Sequence, residues 1–157
     1  LTGLANRRKL MDSLRKNYEL YSRYRIPTSV LAFDIDNLKK INDQHGHLIG
    51  DTVIGALANI FKSEFRTTDL PARFGGDEFI VLLPQTDLQH AKVMAERIRQ
   101  QAVSTFKALN IAGPNATVSI GLSEFNPTDT SFEGALDRAD NALYRAKELG
   151  RNQVITL

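Results

Sequence analysis

Along this chain, stretches with apolar residues every three or four positions alternate with short runs that are apolar throughout. Leu10, Leu14, Tyr18 and Tyr21 recur at helical spacing, so residues 6–24 read as an amphipathic helix that Pro27 stops. The run Ser29-Val30-Leu31-Ala32-Phe33-Asp34-Ile35 predicts a buried strand. Polar residues 36–46 predict a short helix and a turn, and Val53, Leu57, Ile60 and Phe61 set the stripe of a longer helix over about 49–65. Arg73-Phe74 and Phe79-Ile80-Val81-Leu82-Leu83 flank Gly75-Gly76-Asp77-Glu78, a hairpin pattern closed by Pro84. Paired glycines tolerate the positive φ angles of a tight hairpin turn. From about residue 87, Ala91, Met94, Ala95 and Ile98 mark another helix; a loop is expected over 104–115 and a strand over 116–125. Thr130-Ser131-Phe132-Glu133 has the form of a capping box opening the last long helix, Gly150 is placed to end it, and 153–157 reads as an edge strand.

Two consecutive strands joined by a hairpin pair antiparallel, which argues against a doubly wound parallel sheet. The expected fold is α/β in the α+β sense: a mixed central sheet with an antiparallel hairpin, palm-like and ferredoxin-related, with helices on its faces.

At 157 residues the chain fits a single domain able to bury a core. Its 42% hydrophobic and 24% charged content is ordinary for a globular protein, and a net charge of +2 is too small to argue for nucleic acid or membrane as a partner. Residues 1–25 carry seven basic residues against two acidic ones, a local excess that reads as a solvated helix face. There is no cysteine, so disulfides and thiolate metal sites are excluded. The chain opens at Leu1 amid polar, helical sequence with no leader and no apolar run of membrane-spanning length. Residues 1–157 are therefore expected to be one catalytic domain of a larger protein, cytoplasmic, with a regulatory region and any membrane anchor on the N-terminal side.

Asp34 falls where a strand leaves the core and Asp77 at the hairpin turn. On neighbouring strands, both carboxylates would emerge on one edge of the sheet. Magnesium takes hard oxygen ligands and is commonly held by one or two carboxylates plus substrate phosphates. The alternative is that Asp34-Ile35-Asp36 merely ends a strand and starts a helix, and Asp36 itself could cap that helix or assist the metal. The amides of Asn37, Leu38 and Lys39 are expected at a helix N-terminus, where unpaired N–H groups attract anions. Lys147 and Arg151, one turn apart near the end of the last helix, can point the same way, or can simply complement its dipole.

Arg73-Phe74-Gly75-Gly76-Asp77-Glu78-Phe79 resembles the defining motif of the GGDEF family, the diguanylate cyclases. Leu1-Thr2-Gly3-Leu4-Ala5-Asn6-Arg7-Arg8 is similar to that family's opening segment, and Phe33 to Asp43 is similar to its metal and phosphate segment. Gly46-His47, Gly50-Asp51, Ser119-Ile120-Gly121 and Ala146-Lys147-Glu148-Leu149-Gly150-Arg151-Asn152 follow in order, so the likeness spans the chain. The resemblance implies condensation of two GTP molecules to cyclic di-GMP with loss of two pyrophosphates, across a homodimer. It implies two Mg2+ ions per site, or Mn2+, bound by Asp34, Asp77 and the Ile35 carbonyl, with Glu78 either a metal ligand or a proton acceptor. Lys147 and Arg151 would neutralise the β- and γ-phosphates, and Gly76 would let the backbone approach the nucleotide or serve only the turn.

Base selection falls, by the same resemblance, to Asn42 and Asp51. A carboxylate accepts from guanine N1–H and N2–H₂, whereas adenine offers no such pair, so Asp51 should reject ATP. Arg66-Thr67-Thr68-Asp69 resembles the family's inhibitory RxxD motif, a second site for cyclic di-GMP to which Arg97 would contribute. An arginine fork suits guanine O6 and N7. His45, His47 and His90 lack metal-ligand spacing.

Overall fold

A computed structural model describes residues 1–157. The elements are α1 (Arg7–Tyr24), β1 (Thr28–Asp36), α2 (Leu38–His45), α3 (His47–Glu64), β2 (Leu70–Arg73), β3 (Glu78–Pro84), α4 (Leu88–Ala108), β4 (Thr117–Glu124), α5 (Glu133–Glu148) and β5 (Val154–Thr156). The five strands lie in the order β2-β3-β1-β4-β5, antiparallel except for the parallel pair β4–β5. Four of them, with α3 and α4 as crossovers, make the β-α-β-β-α-β arrangement of ferredoxin-like folds. The mixed, palm-like sheet expected from the hairpin is therefore present.

Side-chain alternation divides the core in two. Leu31, Phe33 and Ile35 of β1, with Phe79 and Val81 of β3 and Val118 and Ile120 of β4, pack against α3 and α4. Val30 and Ala32, with Ile80 and Leu82, face α1 and α5. All nine residues of β1 are buried, because the strand has neighbours on both sides and helices on both faces. Alternation places Asp34 and Asp36 on the α5 face.

Helix α5 lies unusually close to the sheet. Its inner face is Ala135, Ala139, Ala142 and Ala146, and beneath it stands Gly121 of β4. A Cβ at Gly121 would stand 2.0 Å from the Ala139 carbonyl oxygen and 2.3 Å from the Leu143 nitrogen. Glycine is the only residue that permits this approach.

Several boundaries differ from expectation for physical reasons. Helix α4 runs through Ala108 instead of yielding to a loop at 104, because Ala102 and Phe106 extend the buried row begun by Ala91, Ala95 and Ile98. The capping box does not form: α5 starts at Glu133 with no side-chain cap. The turn before it is organised by Asp129, which accepts from the Asn126 amide at 2.9 Å and from Arg138 Nη1 at 2.6 Å. Gly75 and Gly76 do not adopt positive φ, so the hairpin is not the tight turn the glycines suggested. It is a wider connection in which the Phe74 and Gly75 amides donate to the Glu78 carbonyl and the Arg73 guanidinium donates to the Gly76 carbonyl.

Candidate active site

Asp34 and Asp77 come together at the ends of β1 and β3. Asp34 is in register with Glu78, and the next amide, that of Ile35, donates to the Asp77 carbonyl at 3.4 Å. A cleft of about 250 Å³ opens there, lined by Asp34, Ile35, Asp36, Asn37, Leu38, Lys39, Lys40, Asp77, Lys147 and Arg151. Nine of the residues singled out from sequence thus share one cavity.

Its electrostatics are unbalanced at one point. Asp34 is only 6% exposed, and burial pushes its carboxyl up to about 6; the neighbouring charges of Asp77 and Asp36 act in the same direction. Lys147 opposes this, its Nζ lying 2.9 Å from Asp34 Oδ2. An ammonium already occupies one side of a carboxylate that a second carboxylate repels, so the pair fits a divalent cation. No group of three acidic or histidine side chains that could hold a metal exists. Further ligands must therefore be backbone carbonyl, water or phosphate oxygen, which matches magnesium's habit of keeping non-protein ligands.

The phosphate side of the cleft is built by two helix ends. Asn37 takes the left-handed conformation (φ 65°), which asparagine tolerates better than most residues, and its Nδ2 donates to the Asn115 carbonyl at 2.9 Å. Helix α2 then starts at Leu38, leaving its first amides without intrahelical partners at the cleft. At the far side α5 ends at Glu148, so Arg151 is not on the helix as expected but three residues beyond it. The Arg151 amide donates to the Ala146 carbonyl at 2.9 Å and the Gly150 amide to that of Lys147 at 3.5 Å, with Gly150 at φ 118°. This double closure folds the chain back sharply enough to return Arg151 to the cleft.

Asp36 does not cap α2, whose N-cap is Asn37; its carboxylate is engaged elsewhere. Its Oδ2 accepts from Thr117 Oγ1 (2.6 Å) and the Asn152 amide (3.1 Å), and its Oδ1 from Ser119 Oγ (2.8 Å). Thr117, Ser119 and Asn152 are site-supporting residues that sequence reasoning missed. Period-two alternation, which puts Asp36, Thr117 and Ser119 on one face of paired strands, was the available signal.

Asn42 and Asp51 lie outside this cleft but close to each other. The Asn42 side chain covers Gly50, where a Cβ would stand 1.7 Å from its Oδ1, and that oxygen is buried without a hydrogen-bond partner. Such an orphaned acceptor awaits a donor. Gly76 is exposed, and a Cβ there would meet nothing. Glu78 is exposed on the hairpin and lines the neighbouring cavity between Phe74 and α5.

Arg66, Asp69 and Arg97 form a separate group past the far end of α3, a helix roughly 27 Å long. Asp69 closes the turn on itself, accepting from the Arg66 amide at 2.9 Å through Oδ2 while Oδ1 is buried and unpaired. Burial raises its carboxyl despite that bond and the Arg66 charge. Arg97 is engaged by Glu64, Nε to Oε2 at 2.8 Å.

A palm-like sheet that presents two carboxylates to a cationic cleft defines a nucleotide-handling catalytic domain. Comparison with known proteins makes the class specific. The family model described as "Diguanylate cyclase, GGDEF domain" matches residues 1–153, and the chain belongs to that family. It is 44% identical over 160 residues to the response regulator PleD of Caulobacter vibrioides, covering 99% of this chain and 35% of that protein. The chain thus spans about a third of the length of that relative. Among solved structures, the coiled coil and GGDEF domain of DgcB from Caulobacter crescentus, in complex with c-di-GMP, superposes with a TM-score of 0.91 at 31% identity, over 99% of this chain and 83% of that one. The active GGEEF domain of a diguanylate cyclase from Vibrio cholerae gives 0.88 at 37% identity, over 98% and 97%.

Proposed function

We propose that this domain condenses two GTP molecules into cyclic di-GMP with release of two pyrophosphates. The observation that carries the reading is the meeting of Asp34 and Asp77 at adjacent strand ends, in a cleft whose other charges are Asp36 and the four cations Lys39, Lys40, Lys147 and Arg151.

Asp34, Asp77 and the Ile35 carbonyl hold divalent metal, Mg2+ or Mn2+, two ions per site. When bound, the metal polarises the α-phosphate and lowers the pKa of the attacking 3′-hydroxyl. The first amides of α2, from Asn37 to Lys39, bind phosphate oxygens at the positive end of the helix. Lys147 exchanges its bond to Asp34 for a β- or γ-phosphate oxygen, and Arg151 supplies a second cationic contact. Asn42 and Asp51 receive the guanine edge, the orphaned Asn42 oxygen accepting one of its N–H groups. Gly76 leaves space for the nucleotide to approach the backbone, and Glu78, exposed on the hairpin, serves either as a metal ligand or as the acceptor of the attacking hydroxyl's proton.

Each copy holds one GTP, so the two-fold product requires two copies facing each other. Cyclic di-GMP then returns to the group Arg66, Asp69 and Arg97 and inhibits turnover from a distance, displacing Glu64 from Arg97. No helix is long and apolar enough to cross a membrane, and the reaction draws on nucleotides of the cytoplasm.

The test is direct: incubate the domain with GTP and Mg2+ across a protein concentration series and quantify cyclic di-GMP. Product forming more than in proportion to protein concentration, and abolished by Asp77→Asn, supports the reading. Folded protein that binds GTP without forming product at any concentration overturns it in favour of a nucleotide receptor.

A further inference from the structure

We infer that Asp36 is a positioning residue for the triphosphate: it ties the chain leaving α5 to β1 and thereby holds Arg151 over the cleft. This rests on the cyclase reading of the site but assigns a part to a carboxylate that the reaction itself does not use.

Asp36 sits two residues beyond Asp34 on the same face of β1, yet the two are committed differently. Asp34 meets one movable side chain, that of Lys147. Asp36 is 3% exposed and receives three donors, two hydroxyls from β4 and the amide of Asn152. Three of a carboxylate's roughly four acceptor positions are filled, leaving little for a metal ion.

The bond to Asn152 is the informative one. Arg151 and Asn152 are consecutive left-handed residues, at φ 65° and 47°, a conformation that arginine resists and asparagine tolerates better than most. An unrestrained chain would relax out of it and carry Arg151 away. The Asp36 carboxylate fixes the second of the pair through its main chain, and Arg99 fixes its side chain, Nη1 to Asn152 Oδ1 at 2.8 Å. The double closure at Gly150 secures the same segment from the helix side.

A tether and a metal ligand respond differently to the amide isostere. The two donors on Oδ2 need one oxygen, which asparagine supplies, and the Ser119 hydroxyl can turn to accept from the asparagine amide. Asp36→Asn therefore keeps the tether, whereas at a metal ligand it would remove the negative charge that favours a divalent cation and weaken binding. Asp36→Ala removes the tether altogether.

The experiment is calorimetric titration of the domain with a non-hydrolysable GTP analogue and, separately, with GMP, in Mg2+. Asp36→Asn is expected to bind both within about threefold of the wild type, and Asp36→Ala to lose at least about tenfold for the triphosphate while binding GMP normally. Hydrogen exchange at the Asn152 amide should be slow in the wild type and Asp36→Asn and fast in Asp36→Ala. If Asp36→Ala does not fold, Thr117→Val, which removes one of the two Oδ2 donors, should show a smaller loss confined to the triphosphate. Equal loss in the asparagine and alanine variants, normal triphosphate binding in the alanine variant, or parallel loss of GMP each overturns the inference. A wild type that binds neither nucleotide overturns the cyclase reading instead.

Discussion

Lys147 Nζ stands 2.9 Å from Asp34 Oδ2, so in the ligand-free domain the carboxylate at the centre of the cleft is neutralised by the very lysine proposed to bind phosphate. That one contact does not fully compensate for burial and for the charges of Asp77 and Asp36, and the Asp34 carboxyl is held at about 6.

A stability trade-off at Asp34 follows. Its folded pKa is above its ordinary value, so between about pH 4 and 6 the folded state binds more protons than the unfolded one, and stability falls as pH rises through that window. In EDTA, Asp34→Asn should therefore be more stable than the wild type at pH 7.5, by roughly 1–3 kcal/mol, and lose that advantage near pH 4. Turnover should vanish. Thermal melts of both proteins across pH check this; a less stable Asp34→Asn at pH 7.5 would contradict it.

The glycines separate site from scaffold. Gly76→Ala places a methyl in open space at a residue without positive φ, so stability should change by less than about 0.5 kcal/mol while turnover drops. Gly121→Ala drives a methyl into the backbone of α5 and should destabilise by about 2 kcal/mol or more. Denaturant titration together with initial rates distinguishes the two; a Gly76→Ala enzyme with wild-type turnover would mean that no ligand approaches there.

Asp129 governs the acid limit. Its side chain is 3% exposed; burial acts to raise the carboxyl, but the Arg138 guanidinium and the Asn126 amide more than offset this and hold it below the usual range. A depressed folded pKa means stability present at neutral pH and lost as pH falls through that folded value. Asp129→Asn leaves a half-buried Arg138 uncompensated and should lose about 2–4 kcal/mol at pH 7, the deficit shrinking in strong acid. Urea unfolding at pH 7 and pH 3 measures both ends.

Arg66→Ala should relieve inhibition by cyclic di-GMP and spare the initial rate, because Arg66 lies roughly a helix length from the start of α3. Progress curves with added product test this. Unchanged inhibition would remove the proposed second site.

Where the chain's pattern was strong and local, it was readable. The apolar run of β1 and the motif around Gly75 put Asp34 at a strand end and Asp77 at a hairpin turn, and the β1–β3 pairing makes those ends neighbours. The misreadings have two causes: partners distant in sequence, and local backbone geometry that residue type alone does not set. Ala102 and Phe106 continue α4 because they are buried, despite the polar residues between them. Asp36 is explained by Thr117, Ser119 and Asn152, whose separations of 81, 83 and 116 residues no local rule spans. Gly75 and Gly76 invited a conformational explanation, whereas Gly76 leaves vacant space. Arg151 reads as one helical turn from Lys147, and only the reversal at Gly150 explains how it arrives at the cleft.

The enclosure of β1 between two strands and two helical layers gives the halves of the cleft unequal freedom. Asp34 is moulded into the most enclosed strand of the sheet, while Arg151 hangs from a short reversal pinned at a few points. Displacing the segment after α5 would move Arg151 and leave Asp34 where it is.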